Sequence, residues 1–530
     1  MKTQILIILL LGLFTINSCD SLNVDLNNTL SDDKYYKNEE QLAIALNGVY
    51  ATLSETYLYG NFMLGRLGLD ADEGYNYYSS DVSSSSQNYV TPSDVKILSY
   101  WRRVYEGINK ANLLLENIDK STEAESTRNK IKGQAMFLRA YYYSMLVTRF
   151  GDVPLVLKLP RSGNADDVQI PQTSSREIYN FIISEMSQAA DLVSDIDAVE
   201  STGRVSKSVV WGMLSRMCLY MAGNPINDTN KYADAAFWAK KVIDSNKHSL
   251  NNSYQQLYIN YAQDLYDKKE SMWEVEFYGN NSGTYTTTAG VVGRNIGIYN
   301  IADDNIGYCA GYLRSSSVLY DLYNASGNDL RRDWAIAPYY YSGNPGVKKY
   351  WKTSDSKFQC YCGKFRREYE ILTPKSKAAT PQNYPLLRYA DVLLMYAEAV
   401  TMKENKTKNE IDSAYWAINQ VRRRAYGLDV YTPNVTVDLN DQNTSDLLKE
   451  IQNERSRELC FECLRKNDLI RWGIYYDKMK YTLSKVPSGS VAYITYAKSY
   501  YANVNTRDIL WPIPTYEMGL NKFLKQNQGW

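Results

Sequence analysis

The chain has 530 residues with 59 basic and 59 acidic side chains, so its formal net charge is zero. A nucleic-acid binder usually carries a basic excess, and this balance therefore argues against a nucleic-acid partner. A hydrophobic share of 44% with a charged share of 22% is typical of a folded protein that buries a large core, and it argues against disorder.

Tyrosine is the unusual residue of this composition. It occurs 48 times, against 11 phenylalanines and 10 tryptophans. Because its side chain joins an apolar ring to a hydroxyl group, the excess predicts surfaces that are both flat and wet. The single histidine, His248, leaves little room for histidine-based catalysis or a zinc site, and its place in a polar stretch that ends a helix predicts a solvated side chain.

Residues 1–18 are predicted to be a signal peptide. The apolar run 5–16 is shorter than the about 20 residues that a membrane-spanning helix needs. With a small serine just before Cys19, the segment resembles a bacterial lipoprotein signal, which implies a lipid on Cys19. The acidic, polar stretch 19–30 resembles the export signal and tether of surface lipoproteins of Bacteroidota. We therefore expect a lipid-anchored protein at the surface of the outer membrane; a secreted protein with a chance cysteine is the alternative.

Amphipathic helices are predicted along the remaining chain, 31–530, which we interpret as one domain. Apolar side chains recur at helical spacing over 101–118, 131–145 and 386–400. Further helices are expected at 175–193, 206–222, 231–245, 409–426 and 445–470. Several of these helices follow one another across short turns, which is typical of stacked helical hairpins.

Two tracts, 70–100 and 275–375, lack helical periodicity. The first combines acidic, serine and tyrosine residues, and the second is rich in glycine, serine, asparagine and tyrosine. Their β-like pieces are short, such as 273–277. We expect loops and small ribbons carried on the helical scaffold.

Four stretches in a fixed order carry a resemblance to a known family. The first two read GQAMFLRAYYY followed by FGDVP (133–154), and YPLLRYAD (384–391). The third runs from INQVRRRA to RWG (418–473), and the last begins with LWPIP (510–514). Together they resemble the SusD/RagB-like outer-membrane nutrient-binding lipoproteins. Cys463 stands where that family commonly has glycine, which questions the local packing there.

This resemblance implies a mainly α fold, a SusD-like α–α superhelix of about four tetratricopeptide-like hairpins with irregular loop and short β insertions. It implies a glycan-binding protein rather than an enzyme, with no cofactor. It also implies that the protein passes captured oligosaccharide to a SusC-like TonB-dependent transporter.

Sugar capture on such a scaffold needs flat rings and polar side chains. A pyranose has an apolar face of C–H groups, on which rings stack, and a rim of hydroxyl groups, which polar side chains bind. We expect candidates from both tracts to share one surface. Those of the first tract are Asp72, Tyr75, Tyr77, Tyr78 and Tyr89. Those of the second tract are Tyr285, Arg294, Tyr299, Asp303, Asp304 and Tyr308.

Three other functions stay open: peptide capture on the same scaffold, glycoside hydrolysis, and a purely structural role in assembly. A hydrolase needs two carboxylates about 5–9.5 Å apart across the sugar. Glu454 and Glu458 lie four residues apart on one predicted helix with Arg455 and Arg465 nearby, a pattern that favours a structural salt-bridge network.

The cysteines offer a further alternative. Cys360, Cys362, Cys460 and Cys463 could supply thiolates to zinc or form a disulfide in an oxidising compartment. The two pairs lie about 100 residues apart, however, and the second pair falls within a predicted helix. We therefore expect packed thiols and no metal site.

Overall fold

The computed structural model describes residues 35–64, 69–78, 84–159, 165–280, 289–301 and 303–530. The predicted signal peptide, the tether with Cys19, and Tyr285 lie outside these residues. Helices dominate the described part of the chain, which confirms the mainly α prediction. None of the described helices is both long and apolar enough to cross a bilayer.

The helices are α1 (Glu39–Ala51), α2 (Val95–Asn117), α3 (Glu125–Phe150), α4 (Ser175–Leu192), α5 (Lys207–Ala222), α6 (Lys231–Asp244), α7 (Tyr254–Gln263), α8 (Val292–Ile296), α9 (Ser317–Ala325), α10 (Arg332–Ala335), α11 (Tyr389–Met402), α12 (Lys408–Ala425), α13 (Thr444–Leu459), α14 (Arg465–Arg471), α15 (Tyr475–Ser484), α16 (Ala492–Ala502) and α17 (Thr515–Leu520). The strands are β1 (Gly74–Asn76), β2 (Val153–Pro154), β3 (Gln172–Thr173), β4 (Ser271–Val275), β5 (Leu313–Ser315), β6 (Tyr339–Ser342), β7 (Val347–Tyr350) and β8 (Tyr384–Arg388).

Short polar motifs fix where several helices begin. Ser174 and Glu177 form a capping box at the start of α4, and Thr407 and Glu410 form another at the start of α12. In each box the two side chains satisfy backbone N–H groups that have no partner inside the helix. At the start of α2, Asp94 accepts from the backbone N–H groups of residues 96 and 97.

Consecutive helices pack against one another, as the hairpin prediction requires. Helix α2 packs on α3, α3 on α4, α4 on α5, and α5 on α6. The chain then leaves for the second loop tract and returns as α11, which packs on α6, α12 and α13. One large hydrophobic core runs through these helices.

Two predicted helices differ from the structure. Residues 384–388 form strand β8, paired antiparallel with β4, and the helix begins only at Tyr389. Pro385 disfavours a helical conformation in the residue before it. The helix predicted over 445–470 breaks after Leu459, because Phe461 and Cys463 adopt left-handed backbone conformations, with φ of 65° and 59°. A glycine would adopt the conformation of Cys463 at lower cost.

Many tyrosines lie in the core rather than on the flat, wet surfaces that their number predicts. Among the described residues, nine of the twelve largest fully buried side chains are tyrosines. Seven of these nine hydroxyl groups donate to backbone carbonyl oxygens, as Tyr142 does to Val49. The buried Tyr501 donates to the carbonyl oxygen of Gly74 in the same way. A buried phenol with such a partner fills the volume of a phenylalanine and also ties two segments together, because its hydroxyl is satisfied.

Candidate functional site

The two loop tracts meet in a small sheet. Strand β1 of the first tract pairs antiparallel with β5 of the second, so that Tyr75 lies opposite Arg314. The ladder continues past the strand, where the backbone N–H of Tyr77 donates to the carbonyl oxygen of Tyr312 at 2.6 Å. The tracts therefore share one surface.

A guanidinium group lies at the centre of this surface. The guanidinium carbon of Arg314 is 3.8 Å from the ring centroid of Tyr77 and 4.7 Å from that of Tyr361. Tyr299 stacks on Tyr361 with centroids 5.7 Å apart and planes at 12°, and Trp351 lies 6.0 Å from the same ring. We call these five residues the aromatic surface. Tyr77, Tyr299, Arg314 and Trp351 are partly exposed, whereas Tyr361 is buried beneath them.

Further rings extend the aromatic surface at its edges. Tyr340 lies 4.7 Å from Trp351, and Tyr496 of α16 meets Tyr77 edge to face at 5.0 Å. Tyr78 packs edge to face on Tyr312 at 4.6 Å. These rings are partly exposed as well. The arrangement offers several ring faces and edges at the protein surface.

Two nitrogen donors in the aromatic surface have no hydrogen-bond partner within the described ranges: Nε of Arg314 and Nε1 of Trp351. The remaining guanidinium nitrogens of Arg314 are held, since one donates to the carbonyl oxygen of Gln359 and the other to the hydroxyl of Tyr361. The guanidinium is thereby fixed between two rings. Both unpartnered nitrogens are themselves buried, so the surface offers a partner mainly its aromatic rings.

Arg294 and Tyr308 form a second, smaller group in the same tract. The guanidinium carbon of Arg294 is 5.5 Å from the ring centroid of Tyr308, and its Nε donates to the carbonyl oxygen of Lys377. Both residues are partly exposed. The backbone joins this group to the aromatic surface, because the carbonyl oxygens of residues 294 and 295 accept from the N–H groups of residues 310 and 312.

The predicted ligand contacts of two candidate residues are corrected, because both side chains are buried. Tyr75 is fully buried, and its hydroxyl donates to the carbonyl oxygen of Phe358 at 2.7 Å. Asp72 is 3% exposed, and both of its oxygens pair with the guanidinium of Arg465 at 2.8 and 2.9 Å. Neither side chain reaches a ligand at the surface.

The prediction that Asp303 contacts a ligand is also corrected. Asp304 and Tyr89 lie in different settings. The carboxylate of Asp303 is buried and accepts from the backbone N–H groups of residues 305, 306 and 346, with that of Gly346 the main reason that its pKa is lowered. Asp303 therefore shapes its loop. Asp304 is exposed and pairs loosely with Lys377 at 3.3 Å. Tyr89 is exposed, and the preceding Asn88 attaches its turn to the backbone of α16.

Arg314, Trp351 and Tyr361 were missed by sequence reasoning, as were Tyr312, Tyr340 and Tyr496 at the edges. Only weak features of the sequence could have identified these residues. Arg314 is one cation among many, and only its place opposite Tyr75 in the β1–β5 ladder reveals its role. The consecutive tyrosines at 339–341 and the Tyr350–Trp351 pair could have marked the β6–β7 hairpin as an aromatic ribbon.

The acidic run before β1 holds the first tract to the scaffold. Asp70 pairs with Arg149 and Lys466, and Asp72 pairs with Arg465. Glu73 accepts from the backbone N–H of Phe461 at 2.8 Å, and burial raises its pKa to about 8. Each of these carboxyl groups thus has a contact within the protein, although one oxygen of Glu73 has no hydrogen-bond partner among the described residues.

The predicted salt-bridge network at Glu454 and Glu458 is confirmed. Both carboxylates are buried, at 1% and 0% exposure. Arg331 lies 2.7 Å from Glu454 and 2.9 Å from Glu458, and Glu458 also pairs with Arg388 and Arg424. A sugar at the protein surface cannot reach carboxylates buried in this way.

The six cysteines beyond Cys19 are buried, free thiols. Burial raises the pKa of Cys360 and of Cys460 to about 12, so these groups stay protonated at neutral pH. Among the described residues, no group of three or more His, Cys, Asp or Glu side chains is placed to hold a metal ion.

Two family models match the chain along most of its length. The SusD family model matches residues 269–530, and a model described as starch-binding associating with outer membrane matches residues 24–219.

Curated relatives and a solved structure agree with these models. SusD-like protein P38 of Formosa agariphila is 24% identical over 495 residues, which cover 88% of this chain and 91% of that protein. The starch-binding protein SusD of Bacteroides thetaiotaomicron is 23% identical over 503 residues, covering 85% of this chain and 82% of that protein. The crystal structure of a SusD homologue from the same organism superposes with a TM-score of 0.85 at 28% identity, covering 96% of this chain and 100% of that one.

This likeness confirms the predicted fold class, a SusD-like helical superhelix of tetratricopeptide-like units. The two family models, their ordered match along the sequence and the shared architecture lead to one conclusion: the chain belongs to the SusD family.

Proposed function

We propose that this protein captures oligosaccharides on the aromatic surface and passes them to a SusC-like TonB-dependent outer-membrane transporter, without making or breaking a bond. One observation carries the proposal, namely the partly exposed rings of Tyr77, Tyr299 and Trp351 grouped around the fixed guanidinium of Arg314. The family models and a starch-binding relative support the choice of a glycan.

The physical basis is stacking on an open surface. Aromatic rings match the C–H face of a pyranose, and the phenol hydroxyl groups of the partly exposed Tyr77 and Tyr299 suit its hydroxyl rim. An open site of this kind buries only part of its ligand. We expect a free energy of binding of about 4–8 kcal/mol, which corresponds to millimolar to micromolar affinity.

Isothermal titration calorimetry with neutral polysaccharides and with short peptides tests this function. The double variant Tyr299→Ala, Trp351→Ala should lose measurable glycan binding. Tyr481→Ala is the matched control, because Tyr481 is half exposed on α15, outside the aromatic surface. Binding of peptides alone would refute glycan capture. Release of new reducing ends by the wild-type protein would refute a purely binding role.

The location and the partner need separate experiments. We propose that Cys19 carries the lipid and that the protein sits on the outer face of the outer membrane. Cys19→Ala should abolish metabolic labelling by palmitate and release the protein from membranes, whereas Cys218→Ala should leave both unchanged, because Cys218 is buried in the core.

Co-purification of the tagged protein with a large outer-membrane β-barrel would support the proposed partnership with a transporter. Purification of the protein without such a β-barrel would refute the partnership.

A further inference from the structure

A second pocket lies on the helical scaffold. It has a volume of about 540 Å³ and opens between α6, α11, α12 and the loops that follow α6 and α12. This volume falls in the range of small-molecule sites. None of its lining residues belongs to the aromatic surface. We call it the helical pocket.

Aromatic side chains form much of its wall. Trp416 and Tyr431 are 39% and 61% exposed at its mouth, and Tyr389 and Tyr396 are buried behind them. The ring of His248 lies against that of Tyr389, with centroids 5.9 Å apart and planes at 27°. The pocket thus offers two exposed rings over a buried aromatic floor.

His248 supplies a hydrogen-bond acceptor to this wall. The prediction of a solvated histidine is wrong, since the side chain is 7% exposed. Its Nδ1 lies 3.1 Å from the carbonyl oxygen of Lys269, and because a carbonyl only accepts, Nδ1 carries the proton. Burial lowers the pKa of His248 to about 4, so the ring is neutral at neutral pH. Nε2 is then an acceptor, and it has no hydrogen-bond partner in the described part of the chain.

Gln420 of α12 supplies the complementary donor. It is 1% exposed, and its Nε2 likewise has no hydrogen-bond partner among the residues that the structure describes. A buried polar group without a partner costs about 1–3 kcal/mol. Hydroxyl groups both donate and accept, so a polyhydroxylated ligand could satisfy the histidine and the glutamine together.

The charges of the pocket point to a neutral ligand. Lys240 and Asp244 face each other across one turn of α6, with nitrogen and oxygen 2.5 Å apart. Their charges therefore offset each other. The hydroxyl groups of Tyr396 and Ser413 are likewise paired, at 2.7 Å. A phosphate or a peptide terminus would find no unpaired charge among these lining residues.

We propose that the helical pocket is a second carbohydrate site, which binds one or two pyranose rings of a neutral glycan. Trp416 and Tyr431 stack on the sugar, and His248 and Gln420 bind its hydroxyl groups. Two separate sites on one chain would hold a polymer at two points, which raises its effective affinity without a new kind of contact.

Fluorine NMR of protein labelled with 5-fluorotryptophan tests this site directly. Trp416→Phe and Trp351→Phe assign one resonance to the helical pocket and one to the aromatic surface. The four probes are the methyl pyranosides of glucose, mannose and galactose, together with maltohexaose. The tripeptide trialanine is titrated for comparison. We expect at least one probe to shift the Trp416 resonance to saturation.

Variants then connect the shift with the proposed contacts. Tyr431→Ala should weaken the apparent affinity at Trp416 by about five- to tenfold and leave the response of Trp351 unchanged. Tyr481→Ala, the exposed-tyrosine control, should change neither response. His248→Phe keeps an aromatic ring but removes the acceptor, and it should abolish the Trp416 shift while an unchanged Trp351 resonance shows that the protein is folded.

Three results would overturn the second site: no saturable Trp416 shift with any of the four probes, a shift that Tyr431→Ala and His248→Phe both leave intact, or a shift produced only by a tripeptide. Each result is distinguishable from a failure of the proposed function, because the Trp351 resonance reports sugar binding at the aromatic surface independently.

Discussion

Replacing Glu458 by glutamine tests whether the buried carboxylates of α13 serve the fold or a reaction. The carboxylate of Glu458 is fully buried and accepts from Arg331, Arg388 and Arg424 at 2.8–2.9 Å. The substitution removes one negative charge and replaces one of the two acceptor oxygens with an amide NH₂ donor, so one or two of the three guanidinium groups lose their acceptor on this side chain. Breaking a buried ion pair in this way costs about 3–5 kcal/mol.

The contacts around Glu458 narrow this range of expected stability loss. Each of the three arginines keeps another carboxylate partner after the substitution. These partners are Asp329, Glu462 and Glu270. The guanidinium groups are therefore not left wholly unpaired, and we expect a loss of about 3 kcal/mol in the free energy of unfolding, at the lower end of the range.

Urea unfolding followed by circular dichroism measures this loss. The control is Glu450→Gln on the same helix, where the side chain is 31% exposed and 4.0 Å from Arg457, and it should change the free energy of unfolding by at most about 0.5 kcal/mol. A loss below about 1 kcal/mol for Glu458→Gln would refute the argument. So would wild-type hydrolysis of a polysaccharide that Glu458→Gln abolishes without loss of stability.

Three further predictions concern stability. Burial alone would raise the pKa of Glu454, but neighbouring guanidinium groups lower it from 4.5 to about 2. Its contribution to the free energy of unfolding is therefore complete above pH 4.5 and disappears as the pH falls towards 2, which urea titrations at a series of pH values would detect. Tyr75→Phe leaves the carbonyl of Phe358 without its donor and should cost about 1 kcal/mol in a urea titration, with glycan affinity unchanged in calorimetry. Gly107→Ala would place a methyl carbon 2.6 Å from the ring of Tyr142, and it should cost about 1–3 kcal/mol and lower the thermal midpoint.

Hydrophobic periodicity was enough to predict the long helices, because their buried faces repeat within one stretch of sequence. It failed at 386–388, which belong to a buried strand whose partner, β4, lies about 110 residues earlier. A helix-like spacing cannot reveal such a partner. It failed again at 460–464, where two left-handed residues that are not glycine end the helix.

The aromatic surface was less predictable, because the burial of its side chains depends on segments that are distant in the sequence. Tyr75 and Tyr77 lie two residues apart on one strand and its extension. Tyr75 is covered by Tyr500 of α16 and by Phe358, at centroid distances of 6.4 and 6.2 Å, whereas Tyr77 lies beyond this cover. The partner that centres the surface, Arg314, comes from about 240 residues further along the chain. Composition indicates rings but not which of them stay exposed.

The first tract owes its geometry to buried carboxyl groups that lie outside the aromatic surface. Asp70 and Asp72 bind cationic side chains at the start of α14, and Glu73 binds the backbone just before it, so the chain is held immediately before it reaches Tyr77. A ring held in place before binding loses less conformational entropy when a sugar stacks on it. The saving is about 0.5–1.5 kcal/mol for each side chain that is already ordered. The buried ion pairs of the scaffold thus position the partly exposed rings on which the proposed glycan binding depends.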